Sequence, residues 1–177
     1  MELRPALALQ SVIKAMTDVV LPAVDPHNKL AQEQARLVIG VLGLLAARLP
    51  LLYRYECDEL SRFLILADTL HSQAVGIADT QQALLSLTAV VGAGQDVLKR
   101  ARAEPAELEI ANFELREKIG ALVSVVYGKA SATQRRTIGA TVTAHAKHQL
   151  LRERAWHVTQ GWESDPAALP AIESLLP

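Results

Sequence analysis

The sequence predicts an all-α fold, an antiparallel bundle of five or six main helices followed by a short helical tail. Leu and Ala, two strong helix formers, supply 28 residues each of the 177. Aromatic residues make up only 4%, too few for the strands of a β sandwich or barrel. Apolar residues also recur at spacings of three and four, as on one face of a helix. We therefore expect a single helical domain over residues 1–177, with residues 163–177 as a docking tail.

Prolines and capping residues place the first two helices. Pro5 fits the first turn of helix one, which should end near Pro22. Asp25 followed by Pro26 predicts the N-cap and first residue of the second helix. One wide apolar stripe marks that second helix, at Leu30, Leu37, Val38, Val41, Leu42, Leu45 and Leu49.

The third and fourth helices follow from the same periodicity. A third helix should cover about residues 52–75, and Asp79 should cap a fourth. The run Gly92-Ala93-Gly94 predicts a break or kink in that fourth helix. The inward face of the third helix is expected to carry Leu60, Phe63, Leu64, Ala67, Leu70 and Ala74.

Two longer helices complete the bundle. Glu104-Pro105 predicts the start of the fifth helix, and Gly128 its C-terminal cap. Ser131 with Gln134 three residues later is a capping-box pattern that opens the sixth helix, which could reach about residue 160. The seam of the fifth helix is Leu108, Ala111, Leu115, Ile119, Leu122 and Val126.

The sixth helix carries two apolar seams, which indicates two packing partners. The second seam lies near the only two Trp residues and an apolar tail, and Trp is favoured at protein interfaces. This pattern predicts a homodimer. The expected interface residues are Leu151, Ala155, Trp156, Val158, Trp162, Leu169 and Ile172.

The compartment is predicted from what the chain lacks. A single cysteine, Cys57, cannot form an internal disulfide, which favours a reducing compartment. The N-terminus lacks the pattern of a secretory signal. The longest run without a charged residue, 80–95, is short of the roughly 20 apolar residues that span a membrane. We therefore expect a cytoplasmic protein that does not bind membranes.

Charge is unevenly distributed along the chain, and its basic part suggests an anion site. Residues 129–160 carry six Lys and Arg against one acid, although the whole chain has a net charge of −1. Arg135 and Arg136 fall in the first turn of a helix, where the helix dipole disfavours cations. With His145 and His148 they could bind an anionic small molecule or an acidic protein surface. The alternative is internal pairing, of Glu107 with Arg152 and of Glu104 near Arg154. Nucleic-acid binding is not expected, because stacking aromatics are missing.

A metal site is a further candidate. Asp68 with His71 and His145 with His148 are spaced so that each pair shares a helix face. The alternative is that Asp68 merely holds His71 through a contact on its own helix. No phosphate loop or nucleophile motif is present, and the acids beside Cys57 disfavour its reactive thiolate. No catalytic residue and no cofactor are therefore assigned.

One stretch resembles a known family. Residues 19–49, VVLPAVDPHNKLAQEQARLVIGVLGLLAARL, have a first helix ending in VLP and a second helix rich in Ala and Leu that ends in Arg-Leu. This stretch resembles the start of a family of small helical bacterial proteins of unknown function. Members are often encoded near acyl-CoA dehydrogenases and aminoglycoside-phosphotransferase-like kinases. The resemblance implies a soluble bacterial accessory protein and carries no catalytic residue over to this chain.

The function predicted from these patterns is that of a non-enzymatic helical accessory protein that self-associates. The first alternative is a bundle that binds a small anionic or acyl-type ligand at Arg135 and Arg136. The second is a metal-dependent enzyme centred on Asp68, His71, His145 and His148.

Overall fold

The computed structural model of the chain describes residues 4–100 and 102–176, and it confirms the all-α fold class. The chain is 84% helical and the described residues contain no strand. Their six longer helices are α1 (Pro5–Ala15), α2 (Lys29–Arg48), α3 (Leu52–Ala74), α4 (Gln81–Lys99), α5 (Pro105–Lys129) and α6 (Ala132–His157). The backbone contacts group into two compact units. Unit 1 comprises the described residues up to Leu52 and Leu151–Leu175, and unit 2 comprises Tyr53–Leu150 with Leu176.

Unit 1 begins with a helix that changes its hydrogen-bonding pattern. After α1 the chain continues through a π-helical stretch, Met16–Val20, and a last α-turn, Leu21–Ala23. The second helix does not begin at Pro26 as expected. Asp25 instead closes a turn by accepting a hydrogen bond from the backbone N–H of His27, and α2 starts at Lys29. The side chain of Asn28 caps it by accepting from the N–H of Ala31.

The hydrophobic core lies in unit 2. The expected inward faces of α3 and α5 are confirmed, because all twelve of the residues named for them are buried. Leu87 of α4 and Ile138 of α6 complete this core. The bundle therefore depends on aliphatic packing, in which a single Phe, Phe63, takes part.

The predicted break in α4 is wrong, since the helix runs continuously from Gln81 to Lys99. Gly94 is buried, and a Cβ built on it would meet Leu60 and Leu64 at 3.4 Å and Leu115 at 3.5 Å. Gly94 therefore packs against α3 and α5, with room for a Cβ but not for a large side chain.

Two predicted caps are also wrong, and the fifth helix opens as expected. Asp79 adopts a left-handed backbone conformation with φ of 61°, and Thr80 is the N-cap of α4. Gly128 lies within α5, which ends at Lys129. The side chain of Glu107 accepts a hydrogen bond from the N–H of Glu104 in a capping box.

The sixth helix and the tail follow the prediction in outline. Ser131 and Gln134 form the expected capping box, and α6 continues as a 3₁₀ turn to Gln160. The tail contains two short 3₁₀ turns, Pro166–Ala168 and Ile172–Leu175, rather than an α-helix. Arg54 donates to the carbonyl of Leu176 at 2.8 Å, which anchors the end of the described chain.

Candidate functional site

The most distinctive surface of unit 1 is the apolar stripe of α2. The spacing of apolar residues predicts this stripe, and most of its side chains are exposed in the structure. We define the α2 stripe as the six exposed members, namely Leu30, Leu37, Val38, Val41 and Leu45 of α2 and Leu49 directly after it. Leu45, for example, is 51% exposed, and only Leu42 of the expected stripe is partly covered. The α2 helix therefore presents an apolar face to its surroundings.

Trp162 is a second exposed apolar group of unit 1 and is 73% exposed. It follows Gly161, whose φ of 75° turns the chain after the 3₁₀ segment. Glu163 accepts two hydrogen bonds from the Arg154 guanidinium, at 2.8 and 2.7 Å, and this pairing lowers the pKa of Glu163. On the other side, the Gln160 amide donates to the Gly40 carbonyl of α2 at 2.9 Å. The indole thus lies on a turn that is fixed at both ends.

The remaining C-terminal residues expected at an interface differ in exposure. Ala155 and Ile172 are buried, so the described conformation leaves no surface of theirs for a partner. The partly exposed members of the set are Leu151, Trp156, Val158 and Leu169. Trp162 is therefore the one member of the expected set with a largely free side chain.

Arg48 is a buried charge that sequence reasoning missed. Its Nε donates to the carbonyl of Trp156 at 2.8 Å and its Nη2 to the carbonyl of Ala155 at 3.1 Å. The guanidinium also lies 5.7 Å from the centre of the Trp156 ring. These are carbonyls at the C-terminal end of α6, where a cation is favoured by the helix dipole. The one signal in the sequence for this contact is that Arg48 ends an otherwise uncharged run of α2.

The residues expected to bind an anion do not form one site. Arg135 and Arg136 line an open depression of about 700 Å³, and His148 lines a neighbouring one of about 450 Å³; the two share Gly139. His145 instead packs its ring 4.9 Å from that of Phe63. The Arg135 guanidinium donates to the carbonyl of Tyr127 at 3.3 Å, near the C-terminus of α5. That contact explains how a cation is tolerated in the first turn of α6.

Glu107 and Arg154, which were expected near the facing ends of α5 and α6, each bind a residue close to them in the sequence. Glu107 accepts a hydrogen bond from Arg100 at 2.8 Å, and Arg154 binds Glu163. Glu107 and Arg154 thus take partners other than those expected of them.

The candidate metal residues lie on two helices, Asp68 and His71 on α3 and His145 and His148 on α6. Asp68 and His71 line a small cleft with Leu87, Thr88 and Val91 of α4. Within the ranges that the structure describes, no group of three or more His, Cys, Asp or Glu side chains could hold a metal ion. The arrangement therefore gives no support to a metal-dependent enzyme.

A partly buried polar cluster joins three helices of unit 2. Glu59 of α3 accepts hydrogen bonds at 2.6 Å from both Arg116 of α5 and Gln149 of α6. One turn earlier, Glu56 accepts from the Asn112 side chain at 3.0 Å, and burial raises the pKa of this Glu56 carboxyl. Because each contact joins two helices, the cluster fixes how they align. Its composition alone identifies no reaction.

Cys57 lies beside this cluster on α3 and is half-buried. Burial raises the pKa of its thiol, and the nearby Glu56 charge acts in the same direction, although a hydrogen bond with Tyr53 opposes them. The thiolate is therefore disfavoured at neutral pH, which agrees with the expectation from its acidic neighbours.

Two helical stretches, Pro5–Ala23 and Lys29–Ala74, are long and apolar enough to cross a membrane. Their most apolar windows are 0% and 11% buried. Length and composition of this kind are shared by membrane spans, signal sequences and apolar helices of soluble proteins. The second stretch includes the α2 stripe.

Comparison with known proteins finds no matching family model, no matching curated protein and no matching solved structure.

Proposed function

We propose that this protein is a non-enzymatic helical interaction protein that self-associates through the α2 stripe. The observation that carries the proposal is the exposure of six large aliphatic side chains along one face of α2 and at its C-terminal end. The largest apolar patch of a soluble protein is typically about 300–600 Å² and is often a contact site, so this stripe is the natural candidate for an interface. This proposal moves the interface expected from the sequence away from the C-terminal helix and towards α2, with Trp162 retained.

The extent of the stripe is consistent with a stable contact. From their fractional exposures, the six side chains present roughly 500 Å² of apolar surface, more than half of the about 800 Å² that one partner contributes to a standard interface. Val12 of α1 and Val19 of the π-helical stretch belong to the same unit and are also exposed. Trp162 adds the kind of side chain that most often dominates binding energy.

A second copy of the chain is the occupant that we infer. The uncharged run of α2 from Leu37 to Ala47 offers no charged group by which a different partner would be selected. In a two-fold symmetric contact, one stripe covers another identical stripe, so a single apolar surface is sufficient for both chains.

We place this dimer in the cytoplasm and not in a membrane. The uncharged run spans eleven residues of helix, which corresponds to about 16 Å against the roughly 30 Å of a bilayer core. Arg48 directly follows that run, and its guanidinium is bound by carbonyls of the protein. The resemblance of residues 19–49 to bacterial accessory proteins supports the same assignment.

The proposal is tested by placing a charge in the stripe. Leu45→Glu puts a carboxylate where the dimer would bury an apolar side chain, so the dimer dissociation constant should rise at least about tenfold. Trp162→Ala tests the C-terminal contribution separately. Size-exclusion chromatography with light scattering on the full chain measures the mass of each variant.

Ile65→Glu is the matched control, because Ile65 is 65% exposed but belongs to α3 in unit 2. It should leave the dimer unchanged, and circular dichroism should show equal helix content in all variants. A monomeric wild-type chain, or equal weakening by Leu45→Glu and Ile65→Glu, would contradict the proposal. Flotation of the wild-type chain with phosphatidylcholine vesicles would show instead that the stripe binds a membrane.

A further inference from the structure

A cleft on the surface of unit 2 lies between α3 and α4. It consists of two depressions of about 440 and 170 Å³, and both are lined by His71 and Thr88. Their combined size falls within the range of small-molecule sites, which is about 300–1,000 Å³. We refer to the two together as the α3–α4 cleft.

One end of the cleft carries a carboxylate and an imidazole beside Leu87 and Val91. Asp68 and His71 lie three residues apart on α3, so their side chains project from the same face of the helix. Within the described part of the chain, neither side chain has a hydrogen bond or an ion pair. Thr88 opposite them uses its hydroxyl to donate to the Leu84 carbonyl at 2.9 Å. A carboxylate and an imidazole are therefore available to a ligand.

The larger depression is lined by both apolar and polar residues, and the polar ones include Thr80 and Gln81. Val75, Ile77, Leu84 and Leu85 line the larger depression, and Val75 and Leu85 are largely exposed. Asp79 also lines it, but its carboxylate is paired with Lys129 at 2.7 Å. Asp68 is therefore the one carboxylate of the cleft that has no cationic partner among the described residues.

No Lys or Arg lines either depression, so the cleft offers an anionic ligand no permanent positive charge. The available charge is the negative one of Asp68, and an imidazole nitrogen of His71 can accept an N–H donor. We propose that the α3–α4 cleft binds a small amphipathic amine. Its ammonium group pairs with Asp68 and donates to His71, and its aliphatic chain lies along Leu84, Leu85 and Val75. This inference is independent of self-association, because it concerns unit 2 alone.

The test compares three probes of equal chain length: octylammonium, octanoate and octanol. Two-dimensional ¹H–¹⁵N NMR of the full chain follows each titration. Octylammonium should shift the amide signals of residues 68–88 in a saturable way and bind more tightly than the other two probes. Shortening the amine from octyl to butyl should weaken binding by up to about fourfold per methylene, since that is the limit for a fully buried group.

Asp68→Asn removes the charge without changing the size of the side chain. It should weaken octylammonium binding by about three- to fivefold and leave octanol binding unchanged. Asp96→Asn is the matched control, because Asp96 is an exposed acid of α4 that does not line the cleft.

Octanoate binding as tight as octylammonium binding would overturn the proposal. The same conclusion would follow if Asp68→Asn had no effect, if Asp96→Asn weakened binding equally, or if no amine saturated the signals of residues 68–88. Shifts confined to α2 would show that the probes merely coat the exposed stripe.

Discussion

Glu56 and Glu59 show how two carboxylates one turn apart can have opposite effects on stability. Glu59 is buried and accepts two hydrogen bonds, one of them from the charged Arg116. Glu56 is half-buried, and burial is the largest of the influences on its pKa, which is raised. The ionised form of Glu56 therefore costs free energy in the folded chain, whereas that of Glu59 is matched by donors.

Glu56→Gln should stabilise the protein at pH 7, by up to about 1 kcal/mol, because the neutral amide oxygen can still accept from Asn112 and the cost of burying a charge is removed. Glu59→Gln should lower the free energy of unfolding by about 1–2 kcal/mol, because Arg116 loses its carboxylate partner. Urea denaturation of both variants, followed by circular dichroism, measures these changes.

The pH dependence of the Glu56→Gln effect has a defined sign. The folded-state pKa of Glu56 lies above the unfolded value of about 4.3, so the folded chain binds this proton more readily. The contribution of Glu56 to stability therefore falls as pH rises through that window. The advantage of Glu56→Gln should be full above the folded-state pKa and vanish below the unfolded one. An advantage that grows as pH falls would contradict the assigned burial of Glu56.

At the scale of residues, the sequence identifies side-chain types better than their partners. Trp162 was expected at an interface and is largely exposed, but Ala155 of the same expected set is buried. The buried role of Arg48 had no local signal, because its acceptors at Ala155 and Trp156 are more than a hundred residues away in the chain. Such pairings depend on tertiary packing and not on spacing.

At the scale of elements, α4 is the helix for which sequence and structure differ most. Two glycines in three residues usually indicate a break, since glycine in a helix interior costs about 1 kcal/mol relative to alanine. In this protein the packing of α4 against α3 and α5 offsets that cost, and the helix stays intact.

Replacing these glycines should stabilise α4. A Cβ at Gly92 would meet nothing within 4 Å, so Gly92→Ala should raise the free energy of unfolding by about 0.5–1 kcal/mol through helix propensity alone. Gly94→Ala should gain a similar amount, since its Cβ would make contacts of 3.4–3.5 Å. Gly94→Leu is the contrasting variant and should destabilise by about 1–3 kcal/mol through overpacking. Thermal denaturation measures all three.

A loss of stability in Gly92→Ala would contradict an unbroken helix, because alanine would then be forced into a conformation that only glycine tolerates.

Helix boundaries were predicted well where a side chain caps the end of the helix by a hydrogen bond to its backbone. The helix start predicted at Glu104-Pro105 and the capping box predicted at Ser131 are confirmed. Asp25 and Asp79 are residue types that favour an N-cap, but neither caps a helix. Asp25 accepts from the N–H of His27, and Asn28 caps α2 instead. Asp79 pairs with Lys129, and Thr80 is the N-cap of α4.

At the scale of the whole molecule, the apolar residues serve two purposes. Those of α3 and α5 form the core of unit 2, as their spacing predicts. The stripe of α2 has the same spacing and composition, yet it is exposed in unit 1. Periodicity identifies an apolar face but does not say whether the chain itself or another molecule covers it. The fold class and the core were therefore predictable, and the surface proposed for self-association was not.

The central claim is that two copies of the chain meet across the α2 stripe, and a distance between the two α2 helices tests it most directly. Ala47→Cys in a Cys57→Ala chain places one nitroxide label at an exposed position of α2. Helices in contact lie about 8–10 Å apart, so with label side chains and axial offset the labels should be separated by less than about 40 Å. Double electron–electron resonance should therefore show a defined distance in that range, lost on adding Leu45→Glu. The absence of any coupling between labels at concentrations where the chain is dimeric would contradict an interface at α2.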